Sequence, residues 1–100
     1  MANSRRYYSE YIGHFVRFYL LYPDMKRFKS EMEGKMYNAV NEIWNELTEL
    51  EQEILKRLYL AKPFNTEVLT VSKEYGIAEP TIWKTVLRFE DGIAKAGGLL

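Results

Sequence analysis

The sequence predicts an all-α protein of about five helices, and three observations carry that reading. No segment shows a sustained period-2 alternation of β-branched residues. Apolar residues instead recur at spacings of three and four through almost the whole chain. Helix punctuation falls between those stretches: prolines at 23, 63 and 80, a glycine at 76, and Thr48 and Glu51 at capping-box spacing. One hundred residues support one compact core and not two.

The first helix is expected from Ser4 to about Leu21. Its stripe is Tyr8, Ile12, Phe15, Val16 and Tyr19, widened by Tyr7, Tyr11 and Phe18, with Glu10, His14 and Arg17 as a narrow polar edge. A helix so apolar around its circumference wants partners on more than one side, so a homodimer is expected. Tyr22-Pro23 ends it, because the residue before a proline is pushed out of the helical region. Pro23 and Asp24 suit the first turn of a second helix over 23–47, with Met25, Phe28, Met32, Met36, Val40, Ile43 and Leu47 on one face. The methionines sit at core spacing and need no cofactor to explain them. Gly34 in its middle marks a bend or a close helix crossing.

Thr48 opens a third helix carrying Leu50, Ile54, Leu55 and Leu58, which ends before Lys62-Pro63. Asn65 or Thr66 caps a short fourth helix through Tyr75, where Gly76 supplies the left-handed residue that closes it. Pro80 suits the first turn of a final helix running to about Asp91, and the tail with its paired glycines is expected to fray.

Composition excludes more than it selects. Lys plus Arg and Asp plus Glu are 14 each, so the formal charge is zero and no overall basic excess advertises nucleic acid. There is no cysteine, which removes disulfide scaffolds, thiolate metal sites and a thiol nucleophile; His14 alone removes multi-histidine zinc sites. No Gly-rich phosphate loop or spaced Ser/His/Asp set is present, so the chain reads as a non-enzyme without a cofactor. His14, beside Glu10 and Arg17, reads as a solvated or hydrogen-bonded residue rather than a base. No apolar run approaches the ~20 residues needed to span a bilayer. MANSRRYYSE has no apolar signal core, so a cytoplasmic protein with no membrane partner is expected.

The aromatic count, 15 residues of which eight are Tyr, points to a binding module. Arg5-Arg6-Tyr7-Tyr8 mixes cations and rings as single-strand binders do, but Tyr8 lies on the apolar stripe, which favours core packing. The acidic run Glu42, Glu46, Glu49, Glu51, Glu53 reads as a solvated face or as a docking patch for a basic partner such as a polymerase.

The most informative stretch is Val71-Ser-Lys-Glu-Tyr-Gly-Ile-Ala-Glu-Pro-Thr-Ile-Trp-Lys-Thr-Val86, which has the layout of a helix-turn-helix. Ser72 lets the helices approach, Gly76 makes the turn, and Ile82 and Val86 face inward. With Leu47, Glu51, Ile54, Leu55, Leu58 and Tyr59 in the helix before it, this region resembles sigma-factor region 4 and phage regulators of that layout. Upstream, YLLYPDMKRFKSEME resembles the helix of small phage late-transcription regulators of the ArpU/RinA type.

The resemblance implies a non-enzymatic, phage-derived transcription regulator whose last helix enters the major groove of double-stranded DNA, acting in the host cytoplasm, with RNA polymerase as a further partner. Carried across, Glu79, Thr81, Trp83 and Lys84 would read bases, and Arg88 and Lys73 would hold phosphates. Ala78 stands where the family has a capping hydroxyl, and Glu79 puts a negative charge near phosphates. Between Thr66 and Glu90, Lys73, Lys84 and Arg88 face Glu67, Glu74, Glu79 and Glu90, so charge alone supplies little affinity.

The organisation expected is therefore one helical domain over 1–100: an N-terminal helical pair over 1–47, the helix-turn-helix unit over 48–91 and a flexible tail over 92–100. The alternative is a helical protein-interaction module that grips a host protein or RNA polymerase without touching DNA. A packaging-type DNA binder of the small-terminase kind is a further reading, since those proteins also carry helix-turn-helix units.

Overall fold

A computed structural model describes residues 7–100. The Arg5–Arg6 pair lies outside the described residues. The chain forms five α-helices, α1 (Ser9–Leu21), α2 (Glu31–Asn45), α3 (Glu49–Leu60), α4 (Phe64–Tyr75) and α5 (Glu79–Ala96), with no strand among the described residues. The radius of gyration is 13.3 Å, the value expected of a close-packed chain of this length.

The longest helix, α5, is the element on which the others assemble. Its most extensive neighbour is α2, and α4 and α1 also pack on it, while α3 packs on α4 and α1. The inward positions Ile82, Val86, Phe89 and Ile93 of α5 recur every three or four residues. They meet Ile12 and Val16 of α1, Met36 and Val40 of α2, Leu55 and Leu58 of α3, and Val68 and Val71 of α4 in one core. Each such side chain, removed wholly from water, contributes about 1.5–3 kcal/mol of transfer free energy.

Two polar ties fix how α1 and α3 sit on α5. Glu90 is fully buried; the Ser9 hydroxyl donates to its Oε1 at 2.8 Å and the Tyr59 hydroxyl donates to its Oε2. Beside it, the buried Tyr8 donates to Asp91. Tyr8 is thus a core residue, as the stripe predicts.

The second helix differs from expectation. It starts at Glu31, not Pro23, and ends at Asn45. Ser30 caps it, accepting from the Glu33 N–H at 3.1 Å, and Glu33 Oε1 takes the Lys29 N–H at 3.2 Å. Residues 22–30 run as a connector pinned by one buried side chain: the Tyr37 hydroxyl donates to the Tyr22 carbonyl at 2.6 Å and accepts from the Met25 N–H at 3.2 Å. Gly34 leaves α2 unbroken. It makes room for the Phe28 ring, which a Cβ there would meet at 3.0 Å.

The third helix matches its signature. Thr48 Oγ1 accepts from the Glu51 N–H at 3.1 Å, and Glu51 Oε1 accepts from the Thr48 N–H at 3.0 Å. That backbone hydrogen bond, aided by the Arg88 guanidinium, holds the Glu51 carboxyl below its ordinary range, against the opposing pull of partial burial. A depressed folded-state pKa means stabilisation present above the ordinary carboxylate pKa and lost as pH falls through the depressed one. Thr48→Ala is expected to cost about 1 kcal/mol at neutral pH. Glu51→Gln is expected to flatten the acid limb of the stability curve. Urea midpoints between pH 7 and pH 3 check both.

The fourth helix begins at Phe64, with Pro63 as its cap residue and no side-chain cap, rather than at Asn65 or Thr66. The Phe64 ring anchors that start, edge-on to Tyr59 at 5.2 Å and against Trp83 at 5.6 Å between centroids. At the other end, α5 continues past Asp91 to Ala96 because Ile93 and Ala94 are fully buried. The expected loose tail is instead turned back onto the core. The Leu99 N–H bonds the Ala94 carbonyl at 2.7 Å, Gly98 takes φ +79°, and Gly97 lies against Met36.

Candidate nucleic-acid interface

The turn between α4 and α5 is built from three residues. Gly76 adopts φ +64°, ψ +33°, the left-handed conformation that a side chain disfavours. The Ile77 N–H bonds the Ser72 carbonyl at 3.2 Å, and the Ser72 hydroxyl donates to the Ile77 carbonyl at 2.6 Å. Ser72 therefore closes the turn by hydrogen bonding, beyond the small size that the sequence suggests. Ala78 supplies no side-chain cap to α5, as its methyl group requires, so the first amides of α5 lack a capping acceptor.

Thr81, Lys84 and Arg88 lie at positions i, i+3 and i+7 of α5, all exposed, opposite the buried Ile82, Val86 and Phe89. Glu79 is exposed at the first residue of α5, and Lys73 is exposed in the last turn of α4. Trp83 does not join them. Only 7% of it is exposed, its ring lies against Phe64, and it packs in the core, so the expectation that it reads bases is corrected. Its neighbour Ile82 is buried as well, because α5 is covered by α4 on one side and by α2 and α1 on others.

Lys95 extends the exposed stripe by two further turns, giving about 21 Å of helix from Thr81. The sequence reading misses Lys95 by ending the helix at Asp91; the Ile82, Val86, Phe89, Ile93 spacing was the signal for a longer one.

The carboxylates of this unit are distributed unevenly. Arg57 of α3 donates from Nε and from a terminal nitrogen to Glu67 Oε2 at 3.1 and 2.8 Å, and also holds Glu74. These charge-assisted bonds, Glu74 foremost, raise the Arg57 pKa further and hold the Glu74 carboxyl below its ordinary range. The Tyr75 hydroxyl donates to Glu53 at 2.5 Å, which pushes its own pKa up. Two of the four acidic residues counted against DNA are thus tied to α3, and Glu90 is buried. Glu79 is the one that stands beside the exposed stripe.

Arg88 is itself partnered, donating to Glu51 Oε2 at the start of α3, although it remains 67% exposed in its side chain. An ion pair so open to water contributes little, which leaves the guanidinium able to exchange its partner. A second charged surface lies on α2 and α3, where Glu42, Glu46, Glu49 and Glu53 are all exposed.

Among the described residues no group of His, Asp and Glu is placed to hold a metal ion, and no helix is long and apolar enough to cross a membrane. No family model, curated protein or solved structure matches the chain.

Proposed function

We propose that the chain is a non-enzymatic transcription regulator that binds duplex DNA through α4 and α5, with α5 in the major groove. The observation that carries this reading is the Thr81–Lys84–Arg88 stripe, exposed on a helix that a left-handed glycine turn joins to α4. Lys84 suits the acceptors of guanine, Thr81 either base type, and Lys73 and Arg88 the flanking phosphates. Glu79 would select for a cytosine amino group and against close phosphate approach. Two copies would present two α5 helices to paired half-sites. A phage late regulator working in a host cytoplasm is the setting that fits these features.

The test is selection from pooled genomic fragments at two salt concentrations, with sequencing of the retained DNA. The expected outcome is a discrete motif and a shallow salt dependence. The two cations on phosphates, Lys73 and Arg88, give a log–log slope of about −2, since each releases roughly 0.9 counterion. Lys84→Ala is expected to weaken the selected site by about 1–3 kcal/mol and to relax base preference at one position. Equal affinity of the variant would remove α5 as the reader.

One observation favours a second reading. The exposed Glu42, Glu46, Glu49 and Glu53 would repel DNA and suit a basic protein surface, such as part of RNA polymerase. No retention of DNA at low salt, with capture of polymerase instead, would establish that reading in place of the first.

A further inference from the structure

α1 carries two apolar faces, and the protein's own core covers only one. Tyr8, Ile12, Phe15, Val16 and Tyr19 are buried. On the outer side Tyr11, His14, Phe18 and Leu21 follow one another at intervals of three, four and three residues, the alternation of a coiled-coil seam, and Tyr7 stands ahead of them in the turn that precedes α1. Tyr7 is 87% exposed, Tyr11 42% and Leu21 61%. Tyr7 and Tyr11 meet the buried Tyr8 and Phe15 edge-on at 5.1 Å between centroids and leave the rest of their surface in water.

Beside the seam lies a groove of about 530 Å³ between α1 and the 22–30 connector, lined by His14, Phe18, Met25 and Phe28 with Arg27, Lys29 and Glu33 at its rim. The same patch therefore holds both projecting rings and a cavity with an apolar floor and polar rim, which is what a phenol side chain requires.

We propose that this face is the interface between two copies of the chain, paired with their α1 helices antiparallel about a two-fold axis at His14. That axis brings Tyr11 of each copy level with the groove at Phe18 of the other, and Tyr7 level with Leu21. It also sets Glu10, which is exposed on the seam's flank, near Arg17 of the second copy. Arg17, half-buried, donates from Nε to the Tyr59 carbonyl at 3.0 Å and its guanidinium lies 6.0 Å from the centre of the Tyr59 ring, so its terminal nitrogens are the donors that would meet a carboxylate of the second copy. Opposite charges thus face each other twice by symmetry, as an isologous contact demands.

The exposed rings and leucine amount to roughly 500 Å² per copy, at the low end of specific interfaces, so the association is weak, in the micromolar range. The surface lies on α1, not on the exposed face of α5, and its test reads mass rather than DNA affinity, so it stands or falls separately from the DNA-binding proposal.

Sedimentation equilibrium of the full chain up to several hundred micromolar is the experiment. The expected result is a concentration-dependent mass rising toward twice 11.9 kDa. Tyr11→Glu and Leu21→Glu are each expected to raise the dissociation constant at least about tenfold, while Lys84→Ala leaves it unchanged. Using two exposed positions guards against one variant failing to fold, and circular dichroism confirms the helices in each. A monomer throughout the range, or a dimer that survives both substitutions, overturns the proposal.

Discussion

Glu90→Ala is expected to be among the most damaging single substitutions in the protein, with a loss of about 3–5 kcal/mol. The carboxylate is fully buried in the interior of the fold and accepts from the hydroxyls of Ser9, at the start of α1, and of Tyr59, on α3. Truncation leaves both hydroxyls without that acceptor and opens a void among α1, α3 and α5. A loss of that size corresponds to a fall in Tm of roughly 15 °C or more for a chain of this length. Glu90→Gln keeps the volume and one carbonyl oxygen, so its cost should be clearly smaller. Thermal unfolding of the two variants checks the ranking, and a Glu90→Ala protein within about 1 kcal/mol of the parent would show that the tie is dispensable.

Trp83→Ala is expected to cost about 3–5 kcal/mol, the usual range for removing a large buried ring. Trp83 packs on Phe64, and Phe64 in turn on Tyr59, so the indole links the start of α4 to α3 through a run of ring contacts. The expected signature is loss of stability, with the DNA affinity of the remaining folded protein intact. Trp83→Phe, which retains a ring against Phe64, should recover most of that loss. A base-reading tryptophan would behave in the opposite way, losing affinity at unchanged stability. Urea unfolding alongside DNA titration separates the two.

The two residues also show where sequence reasoning worked and where it stopped. Local chemistry was legible: the Thr48–Glu51 box, the left-handed Gly76 and the inward Ile82 and Val86 depend only on residues a few positions apart. Positions decided by distant partners were not. Trp83 adjoins Ile82, and one helix face cannot hold both, but α5 is covered from several sides, so both are buried. Pro23 opened a plausible helix, yet the Tyr37 hydroxyl holds residues 22–25 in a connector, and Ser30-x-x-Glu33 was the overlooked start signal. The paired glycines at 97 and 98 read as slack. They serve as a turn whose first residue lies against the Met36 thioether, which a Cβ there would force to shift.

Charge followed the same division. The acidic residues of the helix-turn-helix unit could be counted from the sequence, but not their placement. Arg57 draws Glu67 and Glu74 toward α3, and Glu90 turns inward, so a unit of negative formal charge still exposes Lys73, Lys84, Arg88 and Lys95.

The most direct measurement is an amide chemical-shift titration of the labelled protein with its selected DNA duplex. Binding through α5 places the largest perturbations at Glu79, Thr81, Lys84 and Arg88, with a smaller set around Lys73 and little change on α2 or the outer face of α1. Perturbations confined to the acidic surface of α2 and α3, or none at low salt, would contradict it.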